Sequence, residues 1–171
     1  MSKKTYSRPL VRPSFLAPHF ELGSKLTLLE LRDSQTGDAY GKMTFVHGGN
    51  SIYVDDMHVK GVRVKRASST PGVGTLLFHH LLKWIDEKNL QGTAQEKIVR
   101  ISLYAGVPKA ILPVPASHPL PFYEKLGFKQ VGRIVSSEEA ANGELVLSMQ
   151  ADVEDLRKAL LERLPKLYPK K

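Results

Sequence analysis

Ser69-Thr70-Pro71-Gly72-Val73-Gly74-Thr75-Leu76-Leu77 and, further along the chain, Pro121-Phe122-Tyr123-Glu124-Lys125-Leu126-Gly127-Phe128 are the two stretches whose reading decides the fold. The first is a glycine turn that opens a helix. Such a turn suits an anion, because the first-turn amides have no intrahelical partner and point outward. The second is a short amphipathic helix that Gly127 terminates, with Phe128 entering the core as the next strand begins.

The elements around them follow from periodicity. Residues 1–24 hold Pro9, Pro13 and Pro18 and form an extended N-terminal segment. Leu26–Leu31 and Tyr40–Val46 read as strands, with turns at Asp33–Asp38 and Gly48-Gly49-Asn50. Residues 51–64 alternate in one phase at Met57 and Val59 and in the opposite phase at Val62 and Val64. Either a β-bulge at Lys60-Gly61 interrupts one long strand, or two shorter strands meet in a turn there. Lys65–Pro71 is a polar loop, and Thr75–Lys88 is a helix with apolar residues at helical spacing. Strands are expected over Ile98–Leu103, Phe128–Val135 and Leu145–Met149, and a proline-rich loop over Gly106–Pro121. Asp152 with Asp155 resembles a capping box for a last helix, which Pro165 should stop, leaving a basic tail to Lys171. The result is one domain over 1–171, an α+β fold with helices against a mixed, mostly antiparallel sheet.

Composition narrows the chemistry. The chain has 171 residues, no cysteine and a net charge of +8 from 25 basic and 17 acidic side chains. Disulfides, thiolate metal sites and cysteine nucleophiles are thereby excluded. Basic character favours anionic partners such as coenzyme A or nucleic acid, although several lysines sit near the ends of the chain. No apolar run approaches the roughly 20 residues that span a bilayer. No apolar stretch follows Lys3 and Lys4 as in a secretory signal, so a cytoplasmic protein is expected. His79 and His80 are adjacent, a spacing unsuited to chelation from one helical face, and no metal site is expected.

In this order the two stretches resemble the acyl-CoA site of the GNAT superfamily of N-acetyltransferases, over residues 26–150. The family's Arg/Gln-x-x-Gly-x-Gly/Ala loop aligns with Ser69–Gly74; both glycines match and Ser69 replaces the Arg/Gln. The resemblance implies that backbone at Ser69, Thr70, Gly72, Val73, Gly74 and Thr75 cradles the diphosphate of acetyl-CoA. Hydroxyls of Thr70 and Thr75 would assist, and Arg66 would offset the missing Arg/Gln. Backbone of Val62, Arg63 and Val64 would pair with the pantetheine arm, in a cleft opened by the bulge. Tyr123-Glu124-Lys125-Leu126-Gly127-Phe128 resembles the family's Tyr-x-x-x-Gly-Phe signature, whose tyrosine protonates the departing thiolate. A phenol is neutral at pH 7 and suits that role. The family's Asn seven residues before it is Ala116 here, with His118 nearby.

Asp55, Asp56 and His58 precede the fault in strand phase, and Asp56 and His58 should share one face. They are the candidate general base. Family members carry two helices between the first and second strands that wall the acceptor, and this sequence has little to build them. An open face suits a macromolecular amine, such as a protein terminus, a lysine or an aminoacyl-tRNA, over a small amine. The last helix would cover that face or pair with a second subunit in a homodimer. Two other functions fit the same residues: an acyl-CoA-binding module without catalysis, and a basic RNA-binding domain using Lys60, Arg63, Lys65 and Arg66.

Overall fold

The computed structural model describes residues 16–59, 62–63, 66–67, 72–108, 119–131, 135–136 and 144–167. Their order is β1 (Leu16–Leu22), β2 (Thr27–Asp33), β3 (Ala39–Gly48), β4 (Ser51–Val59), β5 (Val62–Arg63), β6 (Arg66–Ala67), α1 (Val73–Gln91), β7 (Arg100–Pro108), α2 (Pro119–Lys125), β8 (Lys129–Gln130), β9 (Val135–Ser136), β10 (Glu144–Asp152) and α3 (Val153–Leu167). The main sheet runs β1-β2-β3-β4-β7-β10-β8, with β9 paired to β10. It is antiparallel except where β4 lies parallel to β7. That one parallel pair needs a crossover, and α1 supplies it.

The first four strands form a meander on tight turns. Gly23 N–H bonds the Leu26 carbonyl at 2.8 Å and closes the first turn. Asp33 Oδ1 accepts the amides of Gln35 and Thr36 at 2.8 and 3.1 Å, an Asx turn completed by Gly37 at φ 75°. No helix intervenes among the described residues, as the sequence implied. Part of the N-terminal segment read only as extended is the strand β1. Pro18 is tolerated there because β1 is, among the described residues, an edge with no partner strand on its free side.

Alternation puts Leu29, Leu31, Met43, Phe45, Ile52, Val54, Ile101 and Leu103 on one buried face, under Leu77, Phe78, Leu81 and Ile85 of α1. α3 packs beside α1 on the same side; Arg157 donates to both carboxylate oxygens of Asp86 at 2.9 and 2.7 Å. α3 therefore belongs to the helical layer and does not cover the other face of the sheet. It also runs through Pro165 to Leu167 instead of stopping there. Proline removes only its own amide bond and has a helical φ, so a final turn survives it.

The 51–64 segment contains β4 and β5; Lys60-Gly61, where a bulge or a turn was expected, lies outside the described residues, and a bulge is present at Asp55. Thr44 pairs with Asp56 and Phe45 with Val54, so Asp55 has no opposite number. The core phase of Ile52 and Val54 accordingly slips to Met57 and Val59. Among the described residues β5 and β6 then pair only with each other, Val62 with Ala67 and Arg63 with Arg66, off the main sheet. Part of the expected polar loop is thus a hairpin strand.

Candidate active site

A bulge twists its strand, and here the twist opens the sheet. β4 and β7 pair in parallel only from Ser51 and Arg100 to Val54 and Leu103. Beyond that point β4 stays with β3 to Val59, and β7 stays with β10 to Pro108. Residues 55–59 and 104–108 therefore diverge, and each turns a backbone edge toward the gap. Tyr53 and Tyr104 meet at its closed end, ring centroids 5.8 Å apart, and burial, with the Asp55 carboxylate, raises the Tyr53 pKa.

The glycine turn lies beside this gap. Gly72 caps α1 at φ 86°, a left-handed conformation that favours glycine, and among the described residues no side chain caps the first turn. Leu76 N–H reaches the Gly72 carbonyl at 2.9 Å. The amides of Val73, Gly74 and Thr75 are the first-turn donors that α1 leaves without intrahelical acceptors. Side chains there have inward roles. Val73 is fully buried against Gly41, where an added Cβ would stand 2.7 Å from Val73 Cγ1. The Thr75 hydroxyl, expected at a phosphate, is instead buried and accepts from Arg163 Nε at 3.1 Å. Inward packing wins because a residue in the third helical position faces the neighbouring helices.

The two sequence motifs touch. A Cβ on Gly74 would meet Phe122 Cζ at 3.0 Å, so the missing side chain makes room for the Phe122 ring. Phe78 of α1 then packs against Phe122, Tyr123 and Phe128 at 6.1, 6.3 and 5.6 Å between centroids. α2 ends in a Schellman motif: Phe128 N–H bonds the Tyr123 carbonyl, and Gly127 N–H bonds the Glu124 carbonyl, both at 3.1 Å. Gly127 sits at φ 91°. The backbone that carries Tyr123 is thus fixed at both the ring and the carbonyl.

Burial, reinforced by the Asp56 carboxylate, pushes the Tyr123 pKa up to about 12. Asp56 and His58 lie opposite Thr44 and Lys42, on the face away from the helices. They do share that face, as expected, with Oδ2 and Nε2 3.0 Å apart. Tyr123 belongs to the helical layer, yet it feels the Asp56 charge. The diverging strands therefore separate a protonated phenol on one side from an exposed carboxylate–imidazole pair on the other.

Val62, Arg63 and Arg66 have their backbones in the β5–β6 hairpin, while Val64, Ser69 and Thr70 lie outside the described residues, as do Ala116 and His118. The bulge at Asp55 was missed, although Val54 and Met57 announce it: core residues an odd number apart, flanking two adjacent aspartates. Arg163 was also missed, and a lone arginine on a helix gives no signal. A separate cavity of about 640 Å³, lined in part by Asp86, Asn89, Val99, Glu154 and Arg157, is at the far end of α1 and contains none of these groups. Among the described residues no cluster of His, Asp and Glu could hold a metal, and no helix is long and apolar enough to cross a membrane.

No protein-family model matches the sequence, and no curated protein matches it. Solved structures do. The ribosomal-protein-S18-alanine N-acetyltransferase of Escherichia coli aligns over 77% of this chain and 72% of its own at 16% identity, with a TM-score of 0.52. An aminoglycoside 6'-N-acetyltransferase in complex with coenzyme A gives 77%, 74%, 16% and 0.54, in the same order. A spermidine/spermine N-acetyltransferase of Vibrio cholerae gives 79%, 69%, 16% and 0.53. The fold is the GNAT fold. Within it, the parallel β4–β7 pair, the bulge on β4, the capless first turn of α1 and the Tyr123 helix occupy one continuous region. In this chain, however, a turn from Gly23 to Leu26 stands where the resemblance places two helices.

Proposed function

We propose that this protein is an N-acetyltransferase that takes acetyl from acetyl-CoA and gives it to an amine. The observation that carries the reading is the end of β4–β7 pairing at Val54 and Leu103, with Tyr123 on one side and Asp56–His58 on the other. A pantetheine arm contains two amides and can pair with exposed strand edges as a third strand does. Edges 55–59 and 104–108 offer such groups, and β5 and β6 come between β4 and α1 in chain order. The first-turn amides of Val73 to Thr75 suit the diphosphate.

In the reaction, an amine nitrogen forms the new bond to the acetyl carbon and the carbon–sulfur bond breaks. Asp56 and His58 take the proton that the ammonium must lose, directly or through water. Tyr123 gives its proton to the departing sulfur. A phenol held at a raised pKa keeps that proton until negative charge develops beside it. The burial that raises the phenol raises the thiol as well, so the transfer stays feasible. Holding both substrates in one cleft supplies much of the remaining acceleration.

The solved relatives by fold are named for amine acceptors of different sizes, a protein alanine, polyamines and aminoglycosides. The absence of helices between β1 and β2 among the described residues favours a macromolecular acceptor here, presented to the Asp56–His58 face. The test is calorimetric titration with acetyl-CoA, followed by turnover against a free-N-terminal peptide, a polyamine and an aminoglycoside, for the wild type and Tyr123→Phe. Loss of an acid should lower kcat about 10²–10⁴-fold with little change in acetyl-CoA affinity. No binding of acetyl-CoA, or full turnover by Tyr123→Phe, would sink the reading.

A further inference from the structure

Arg163 stands where a cation is least expected. Its Nε–H donates to Thr75 Oγ1 at 3.1 Å, and its guanidinium carbon lies 5.8 Å from the centroid of Phe122. Thr75 is the third residue of α1, and helical side chains lean toward the N-terminus, so this bond brings Arg163 alongside the Gly72–Gly74 turn. A helix N-terminus carries partial positive charge and favours anions, whereas cations belong at the other end. Helix α1 has no acidic residue in its first turn. Among the described residues no carboxylate pairs with Arg163. By contrast Arg157, on the same helix, is fully engaged by Asp86 and Glu154.

Among the described residues, positive charge is thus gathered at one point without a counter-charge. Only one of five guanidinium N–H donors is used by Thr75, and a ring-stacked guanidinium keeps its edges free. That arrangement suits a phosphate, which can take two parallel N–H bonds from one arginine. We propose that Arg163 of α3 is a binding residue for the diphosphate of the acyl-CoA co-substrate, completing the site begun by the first-turn amides of α1. The inference rests on the acetyltransferase reading and adds to it a residue that neither motif contains. It also gives α3 a function beyond packing: the same side chain bonds Thr75 in the first turn of α1 and lies over Phe122, in the helix that carries Tyr123.

The experiment is calorimetric titration of the full chain with acetyl-CoA at low and high sodium chloride, for wild type, Arg163→Gln and Arg163→Lys. Loss of charge-assisted hydrogen bonds to phosphate should weaken Arg163→Gln by about tenfold or more at low salt. The gap should narrow at high salt, because screening removes the advantage from the wild type, and Arg163→Lys should recover most of the binding. A loss in Arg163→Gln that is equal at both salts, or shared fully by Arg163→Lys, would mean that Arg163 only packs the helices, and would overturn the proposal. So would wild-type affinity in Arg163→Gln. Wild-type protein that binds no acetyl-CoA at either salt overturns the acetyltransferase reading and this proposal together, a result distinct from the other two.

Discussion

Replacing Gly127 by alanine should cost far more than its single methyl suggests. Gly127 has φ 91°, where an L-residue with a Cβ is strained by roughly 1–2 kcal/mol. The added Cβ would also stand 3.2 Å from the Asp155 carbonyl oxygen and 3.3 Å from its carbonyl carbon and Cβ. Those atoms belong to the first turn of α3, pinned by buried Val153 and Leu156, and cannot easily retreat. Overpacking of that kind adds about 1–3 kcal/mol. The total, about 2–5 kcal/mol, should lower Tm by about 4–20 °C for a chain of this length. Gly37→Ala is the control: φ is 75° and nothing lies within 4 Å of the added Cβ, so only the backbone term applies. Thermal unfolding of both variants by circular dichroism separates strain from contact. Equal losses in the two would refute the claim that α2 and α3 are pressed together at Gly127. Because the Tyr123 carbonyl accepts the Phe128 bond of the same motif, turnover should fall in Gly127→Ala under conditions where the protein remains folded.

Other outcomes follow from the same geometry. Asp56→Asn should lower the Tyr123 pKa from about 12 while leaving it above the ordinary 10.0, since burial is the larger cause; an unchanged ultraviolet phenol titration would show that the cleft does not join the two groups. Burial, then His79 and Lys83, depress His80 to about 4 from 6.5, so its contribution to stability is complete above 6.5 and is lost as pH falls toward 4. The loss should reach about 1–3 kcal/mol after allowance for partial exposure, and His80→Gln should flatten that part of the urea-denaturation profile. Gly41→Ala should destabilise the fold by about 1–3 kcal/mol, because its Cβ would press on Val73 Cγ1 at 2.7 Å and Leu77 Cδ1 at 3.2 Å; wild-type Tm would contradict the close approach of β3 to α1.

The pattern of apolar residues and turn chemistry carried most of the architecture. Alternation at Leu29–Leu31 and Met43–Phe45, helical spacing from Leu76 to Ile85, and Gly127 before Phe128 are local signals. Each follows from the period of the backbone or from the φ a single residue can adopt. The same locality made Asp56 and His58 legible as neighbours on one face. β1 was harder to see, because its proline, Pro18, argues against helix but says nothing about a partner strand.

What the sequence determined by itself was the set of elements, the glycine turn that starts α1 and the helix that holds Tyr123. Tertiary structure alone decided what those parts do to one another. The bulge at Asp55 opens β4 from β7 because β4 and β7 have different second partners, β3 and β10, a fact about pairing between distant segments. Gly74 is read locally as room for a ligand, but its missing Cβ admits Phe122, a residue from another helix. Arg163 reaches Thr75 only because α3 packs antiparallel to α1. Contacts of that kind depend on how layers meet in space, and periodicity along one segment carries no record of them.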